Sequence, residues 1–389
     1  MTSAFKIADR EVGGDAPCYV IAELSCNHEG SFDEALRILQ AAADAGADAI
    51  KLQTYTADSL TRDFGTRPTG TMWEKTDLYR LYEKAHTPRE WHEKLQKAAA
   101  DHGLHFFSSP FDEEAVDYLD EIGVPVFKIA SFEVVDVKLL QRVAQKGKPV
   151  IISNGMTDYL ELAEAVRVLR DNGVRDLAVL HCNSGYPAAF KEANLKTISA
   201  IGRLFGVVPG LSDHTLFADD SSCTQPMAHI TPAEAVGFGS KIVEVHLTMD
   251  RAHARRMHES GEGGFDWAFS RNPDELKKMI EHIRLAERGL SRDLSEEEQR
   301  VASLTHGEVK FEPTEKELSS RTLRPTLWVV ESVKAGQPLR FAGGRSGNVD
   351  SIRPGGGLPI RFADFVDGKE AACDLPAGTP LQWSHVRLS

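Results

Sequence analysis

Before residue 250 the chain repeats one pattern eight times: a short apolar run of Val, Ile, Leu or Phe that ends in polar or ionisable residues. The runs begin at Tyr19, Asp48, His105, Pro125, Pro149, Leu177, Val207 and Lys241. A parallel strand reads as a continuous apolar run because helices cover both faces of a parallel sheet. Amphipathic helical patterns fill the intervals. Phe32 to Ala45, for example, reads FDEALRILQAAADA, with Ser31 as its candidate N-cap and Gly46 as its stop. Repeated strand–helix units predict an α/β chain folded as a TIM (β/α)8 barrel, whose chemistry lies at the C-terminal ends of its strands. The polar run-ends therefore mark the candidate site.

At 389 residues the chain has room for such a barrel and one further small domain. The barrel is expected over residues 1–290, closing with a helix around Pro273 to Gly289. Residues 291–320 are highly charged and read as a linker with some helix. From 321 to 389 short β-like runs (TLWVVESV) alternate with turn signals (RPGGGLP, DLPAGTPL), predicting a small β-rich domain that must lean on a neighbour for stability. The formal net charge of −13 argues against a nucleic-acid surface. No stretch reaches the roughly 20 apolar residues that span a bilayer, and the N-terminus lacks a signal-peptide core. The five scattered cysteines, without a CxxC pair, read as reduced thiols of a cytoplasmic protein.

The run-ends supply Glu23, Asn27 and His28; Lys51 and Gln53; Ser108 and Ser109; Lys128 and Ser131; Ser153 and Asn154; His181, Asn183, Ser184 and Tyr186; Ser212, Asp213 and His214; and Glu244 and His246. Two lysines among hydroxyls suit a phosphate or a carboxylate. Two imidazoles from adjacent strands, His214 and His246, suit a divalent metal with open positions. A glutamate in such a mouth is a natural general acid or base. The combined chemistry is an anionic substrate beside a metal-activated carbonyl. Lys128 could instead form an ordinary ion pair with Glu133, or serve as a Schiff-base lysine. His28 and His181 are open to either a ligand or a structural reading. The aromatic run around Trp73, Tyr79 and Tyr82 reads as packing over the barrel.

The strings IAELSCNHEG, DAIKLQTYT, FFSSPFD, FKIASFE, GLSDH and SIRPGGGLP, in this order, resemble the sialic acid synthase family over nearly the whole chain. IAELSxNHxG, HTPxEWH, SSPFD and RPGxGLP look most like its pseudaminic acid synthases. The resemblance implies a TIM barrel followed by an antifreeze-like (SAF) domain swapped across a homodimer. It also implies condensation of phosphoenolpyruvate with an open-chain N-acylated hexose to a nine-carbon 2-keto sugar acid and phosphate. Lys51, Ser109, Lys128, Ser131, Ser153, Ser184 and Ser212 would hold phosphoenolpyruvate. His214 and His246 would bind Mn²⁺, with Mg²⁺ or Co²⁺ as alternatives. Glu23 would be the acid/base group, and Gln53, Tyr186, Glu244 and Asp266 would contact the sugar or metal-bound water. Arg353 would reach the acyl sugar in the partner subunit's site.

The chain also departs from the family. It reads Glu244-Val245-His246-Leu247 where the family has Glu-Lys-His-Phe, and His181 stands in place of a lysine. Thr215 to Ser240 and Arg251 to Gly264 are expanded. These changes gather at the seventh and eighth strands and predict an altered acceptor sugar, of sialic, legionaminic or unusual type. Arg251, Arg255 and Arg256 could receive a second anionic group or form a solvated basic loop. The rival functions are a lysine Schiff-base aldolase and a non-catalytic sugar-binding protein on the same fold.

Overall fold

The structure, a computed structural model, describes residues 4–215, 226–343 and 346–388. An antiparallel hairpin of β1 (Ala4–Ile7) and β2 (Arg10–Gly13), absent from the expectation above, opens the chain and buries Phe5, Ile7 and Val12 in the main core. Eight parallel strands then close into a barrel. They are β3 (Tyr19–Glu23), β4 (Ala49–Thr54), β5 (His105–Pro110), β6 (Phe127–Ile129), β7 (Val150–Ser153), β8 (Leu177–Cys182), β9 (Val208–Asp213) and β10 (Ile242–His246). They pair in sequence order and β10 returns to β3, so the sheet has no exposed edge. All eight apolar runs are these strands, and the TIM-barrel expectation holds.

Local signals set the helices. Ser31 accepts a hydrogen bond from Glu34 N at the start of Phe32–Ala45, and Gly46 ends that helix in the left-handed region at φ 88°, where glycine has no Cβ penalty. The charged stretch 291–320 carries most of two capped helices, Glu296–His306 and Glu315–Arg321. The small C-terminal sheet is antiparallel, with β11 (Thr326–Val329) between β12 (Val349–Ile352) and β13 (Thr379–Pro380). It closes over its own core of Leu327, Val329, Leu339, Val349, Leu375 and Leu381.

That domain leans on the barrel through the loop after β4. Arg353 N donates to Leu60 O at 2.8 Å, Thr61 Oγ1 donates to Arg353 O at 2.6 Å, and Arg62 pairs with Asp350 at 3.1 Å. Phe64 stacks on Trp328. No helix among the described residues is long and apolar enough to cross a membrane. Cys18, Cys26, Cys182 and Cys373 are free thiols, and Cys223 lies outside the described residues.

Two buried histidines are expected to make the fold sensitive to acid. Burial lowers the pKa of both His28 and His92 to about 4, from an unfolded value near 6.5. Each is therefore neutral in the folded state, and its contribution is fully present above pH 6.5 and lost as pH falls through 4. Asp136, pushed up to about 6 by burial, acts in the opposite sense, but two imidazoles outweigh one carboxyl. Tm is expected to fall steeply from pH 6.5 to 4, with His92→Gln flattening part of the fall. A Tm unchanged over that window would contradict the assignment.

Candidate active site

Strand register brings the ionisable run-ends together. His246 lies opposite Glu23, Glu23 opposite Lys51, Gln53 opposite Ser109, and Glu244 opposite Ser212. Lys51 Nζ sits 2.5 Å from Glu23 Oε2 and 3.5 Å from Glu244 Oε1, and donates to Ser109 Oγ at 3.3 Å. Lys128 Nζ is also 3.5 Å from Glu244 Oε1 and donates to Ser153 Oγ at 2.7 Å. Ser212 Oγ donates to the same Glu244 oxygen at 3.1 Å. Lys128 is thus not paired with Glu133, one of the alternatives its sequence position allowed.

The charges shape one another. Burial opposes the Lys51 ammonium, but the Glu23 and Glu244 carboxylates outweigh it and raise its pKa. Burial dominates at Lys128 and lowers its pKa despite Glu244. Glu244, also opposed by burial, is held well below the usual carboxylate range by Lys128 and Lys51. Oε1 of Glu23 and Oε2 of Glu244 are buried without a hydrogen-bond partner. Unpaired buried oxygens of this kind are costly, so a functional role is one reason a fold retains them.

The hydroxyl-bearing wall continues around Gly155. Gly155 N donates to Ser131 Oγ at 3.2 Å, and a Cβ built at Gly155 would stand 2.1 Å from Ser184 Oγ and 2.7 Å from Ser131 Oγ. Both hydroxyls therefore crowd the turn after β7, and the absent side chain makes their space.

On the opposite side the His214 and His246 rings lie 5.4 Å apart. His214 Nδ1 is 3.0 Å from Asn183 O, which places a proton on Nδ1 and leaves Nε2 as a lone-pair donor. Burial lowers the His214 pKa, favouring the neutral form that ligates metals. His246 Nδ1 lies 3.0 Å from Asp266 Oδ2 but outside hydrogen-bond geometry. Imidazoles and carboxylates are donor types that divalent cations accept, and His214 keeps a free lone pair for one. Among the described residues no three His, Cys, Asp or Glu side chains converge on a metal position. Two histidines alone would leave positions for water or substrate oxygens. Asp266 is oriented by a chain the sequence did not reveal: Ser25 Oγ donates to Asp266 Oδ2 at 2.6 Å and Gln53 Nε2 donates to Ser25 Oγ at 3.0 Å.

These groups line one cavity of about 120 Å³, roofed by aromatic side chains and by Arg353. Tyr186 stacks on Phe132 and lies 4.4 Å from the His214 ring. Trp73 lines the cavity rather than only packing over the barrel, and its Nε1 donates to Phe265 O at 2.9 Å. Arg353 is buried, ion-paired with Glu133, and donates to Tyr82 Oη at 2.9 Å. The resemblance brings Arg353 from a partner subunit; in the single chain it enters the mouth of its own barrel. Glu23, Ser109 and Ser184 are fully buried just behind the cavity wall.

Several sequence candidates fall outside this constellation. His28 bonds to Thr87 Oγ1 and accepts from Gly30 N, His181 bonds to Ala193 O at 2.8 Å, and neither lines the cavity. Asp213 pairs with the fully buried Arg271 and braces the end of β9. The expanded segment after β10 forms a helix, Arg251–Ser260. There Arg251 pairs with Glu275, and Arg255 pairs with Glu259 and covers the Trp267 ring, so neither is an idle anion receptor. Part of the other expansion, residues 216–225, lies outside the described residues.

Comparison with known proteins adds an independent line. The profile of the NeuB family matches residues 38–294, and that of the SAF domain matches residues 325–387. The pseudaminic acid synthase of Campylobacter jejuni serotype O:23/36 is 35% identical over 96% of this chain and 98% of that protein. The N,N'-diacetyllegionaminic acid synthase of Legionella pneumophila is 32% identical over 96% of each. The crystal structure of the spore coat polysaccharide biosynthesis protein SpsE from Bacillus subtilis superposes with a TM-score of 0.79 at 29% identity, covering 100% of both chains.

Proposed function

The chain belongs to the NeuB family, and from that membership we propose that it is a nonulosonic acid synthase, joining carbon 3 of phosphoenolpyruvate to carbon 1 of an open-chain N-acylated hexose. The product is a nine-carbon 2-keto sugar acid of pseudaminic type, and phosphate is released. The observation that carries this reading is the convergence of Lys51 and Lys128 on Glu244 with Ser109 and Ser153, beside the His214–His246 pair.

In this reading Lys51, Lys128 and the hydroxyls of Ser109, Ser131, Ser153, Ser184 and Ser212 hold the phosphate and carboxylate of phosphoenolpyruvate, neutralising charge throughout. Mn²⁺, Mg²⁺ or Co²⁺ held by His214 and His246 would supply Lewis-acid polarisation at the aldehyde oxygen. Carbon–carbon bond formation turns that oxygen into an alkoxide that needs a proton, while the water that adds at carbon 2 must lose one. Glu23, beside Lys51 with one oxygen unpaired, is placed to carry that proton. Phosphate then leaves with cleavage of its bond to carbon 2. Gln53, Ser25 and Asp266 orient the sugar beside Tyr186, and Arg353 meets its acyl group.

The test is a phosphate-release screen with phosphoenolpyruvate, Mn²⁺ and a panel of N-acyl hexoses. Release that requires both substrates supports the reading, and none with any sugar overturns it. The changed residues around β10, Val245 and Leu247, favour an acceptor other than the pseudaminic precursor as the second reading, which the same panel resolves. The lowered pKa of Lys128 also meets what a Schiff-base amine needs. Borohydride trapping of an adduct at Lys128 would replace the synthase reading with an aldolase.

Arg353→Ala is expected to raise the sugar KM about 10- to 100-fold, the scale of a lost charge-assisted hydrogen bond, with the phosphoenolpyruvate KM little changed. Equal effects on both substrates would contradict a sugar contact. From the family resemblance we further propose a homodimer with exchanged C-terminal domains, in which the Arg353–Glu133 pair seen within the single chain forms across subunits instead. Mixing refolded Arg353→Ala and Glu23→Gln chains then restores activity, because one barrel keeps Glu23 and receives an intact Arg353. If each chain keeps its own C-terminal domain, mixing restores nothing.

A further inference from the structure

Glu317 lies in the charged stretch between the two domains, far in sequence from every strand end, yet its carboxylate reaches the barrel mouth. Its Oε1 accepts from Met156 N at 3.0 Å and from Ser184 N at 2.8 Å. Met156 belongs to the turn after β7 and Ser184 to the turn after β8, so one buried oxygen ties two adjacent turns together. Its Oε2 accepts from Thr314 N at 2.9 Å and Thr314 Oγ1 at 3.1 Å, closing the capping box of helix Glu315–Arg321. The capping box accounts for Oε2 alone; the two hydrogen bonds to Oε1 lie outside it. Helix and turns also touch elsewhere: a Cβ at Gly185 would meet Lys316 Cδ at 3.3 Å, and Leu323 packs in the cluster that holds Met156 and Phe132.

The two bridged turns carry the crowded hydroxyls. Ser184 Oγ and Ser131 Oγ stand against Gly155, the residue before Met156, and Ser153 ends β7 just ahead of it. Movement of either backbone N–H therefore moves hydroxyls relative to Lys128. We propose that Glu317 is a positioning residue for the phosphoenolpyruvate cradle, setting the spacing of Ser131, Ser153 and Ser184 through hydrogen bonds from Met156 and Ser184. Bonds from an N–H to a buried carboxylate are stronger than neutral ones, which suits this bridging task. The inference rests on the synthase reading above and adds to it a residue that does not touch substrate.

Glu317→Ala, Glu317→Gln and Glu317→Asp in the full-length protein test it, through KM for both substrates, phosphoenolpyruvate affinity by calorimetry without acceptor, and Tm. Glu317→Ala is expected to weaken phosphoenolpyruvate binding and raise its KM at least about 10-fold, the scale of a lost orienting contact, while the sugar KM stays within about 2-fold. Glu317→Gln keeps a carbonyl oxygen that can accept both N–H groups while losing the bond from Thr314 N, and is expected to recover phosphoenolpyruvate affinity to within about 3-fold of wild type at a lower Tm. Glu317→Asp keeps the charge but is one methylene short, and is expected to show the same phosphoenolpyruvate-specific loss, which tests the inference where Glu317→Ala fails to fold. A lower Tm with unchanged phosphoenolpyruvate affinity, or equal losses for both substrates, overturns the inference while leaving the synthase reading intact. Wild-type protein that releases no phosphate with any acceptor overturns both.

Discussion

His214→Ala and His246→Ala are each expected to lower turnover by about 1,000-fold or more, since a Lewis-acid site stabilises transition-state charge by several kcal/mol. The fold should survive. Each ring is one of several around Phe269, at centroid distances of 5.4 Å and 4.8 Å, and the barrel core lies below them. Metal analysis of purified protein should give about one divalent ion per chain in wild type and a large loss in either variant. Chelation followed by Mn²⁺ addition should remove and restore wild-type activity. Near-wild-type rates in metal-free protein would end the metal assignment, and a normal metal content in both variants would place the ion elsewhere.

Gly155→Ala is the second large effect, expected to lower kcat/KM for phosphoenolpyruvate about 100-fold, as a misplacement of about 1 Å can do. Its methyl group would need space now held by Ser184 Oγ at 2.1 Å and Ser131 Oγ at 2.7 Å. Both hydroxyls would have to rotate or shift to admit it, and Gly155 N is itself committed to Ser131 Oγ. Gly237→Ala is the control, because a Cβ there has no heavy atom within 4 Å. Equal kinetics for the two variants would show that Ser131 and Ser184 do not hold phosphoenolpyruvate.

The site residues legible in the sequence are those on strand ends. Lys51, Lys128, Ser153, Ser212, His214, Glu244 and His246 follow apolar runs whose barrel arrangement forces their ends to one mouth. Ser25, Glu133 and Glu317 were not legible as site residues. Their roles depend on contacts with Asp266, Arg353 and Met156, across separations of 241, 220 and 161 residues, and no local pattern encodes such pairings. The same limit applies to His28 and His181, where a histidine at a run-end looks alike whether it ligates a metal or bonds a nearby backbone group.

By itself the sequence determined the barrel, the β-rich C-terminal domain and the inventory of lysines, hydroxyls and imidazoles at one face. Strand periodicity and helix caps are local properties, written within a few residues. Tertiary structure alone decided which carboxylate each lysine meets, that Arg353 pairs with Glu133 rather than standing free, and that a carboxylate from the charged interdomain stretch bridges two barrel turns. Those are matters of ångström-scale distance between residues far apart in the chain, set only when the closed barrel and the docked domain bring them together.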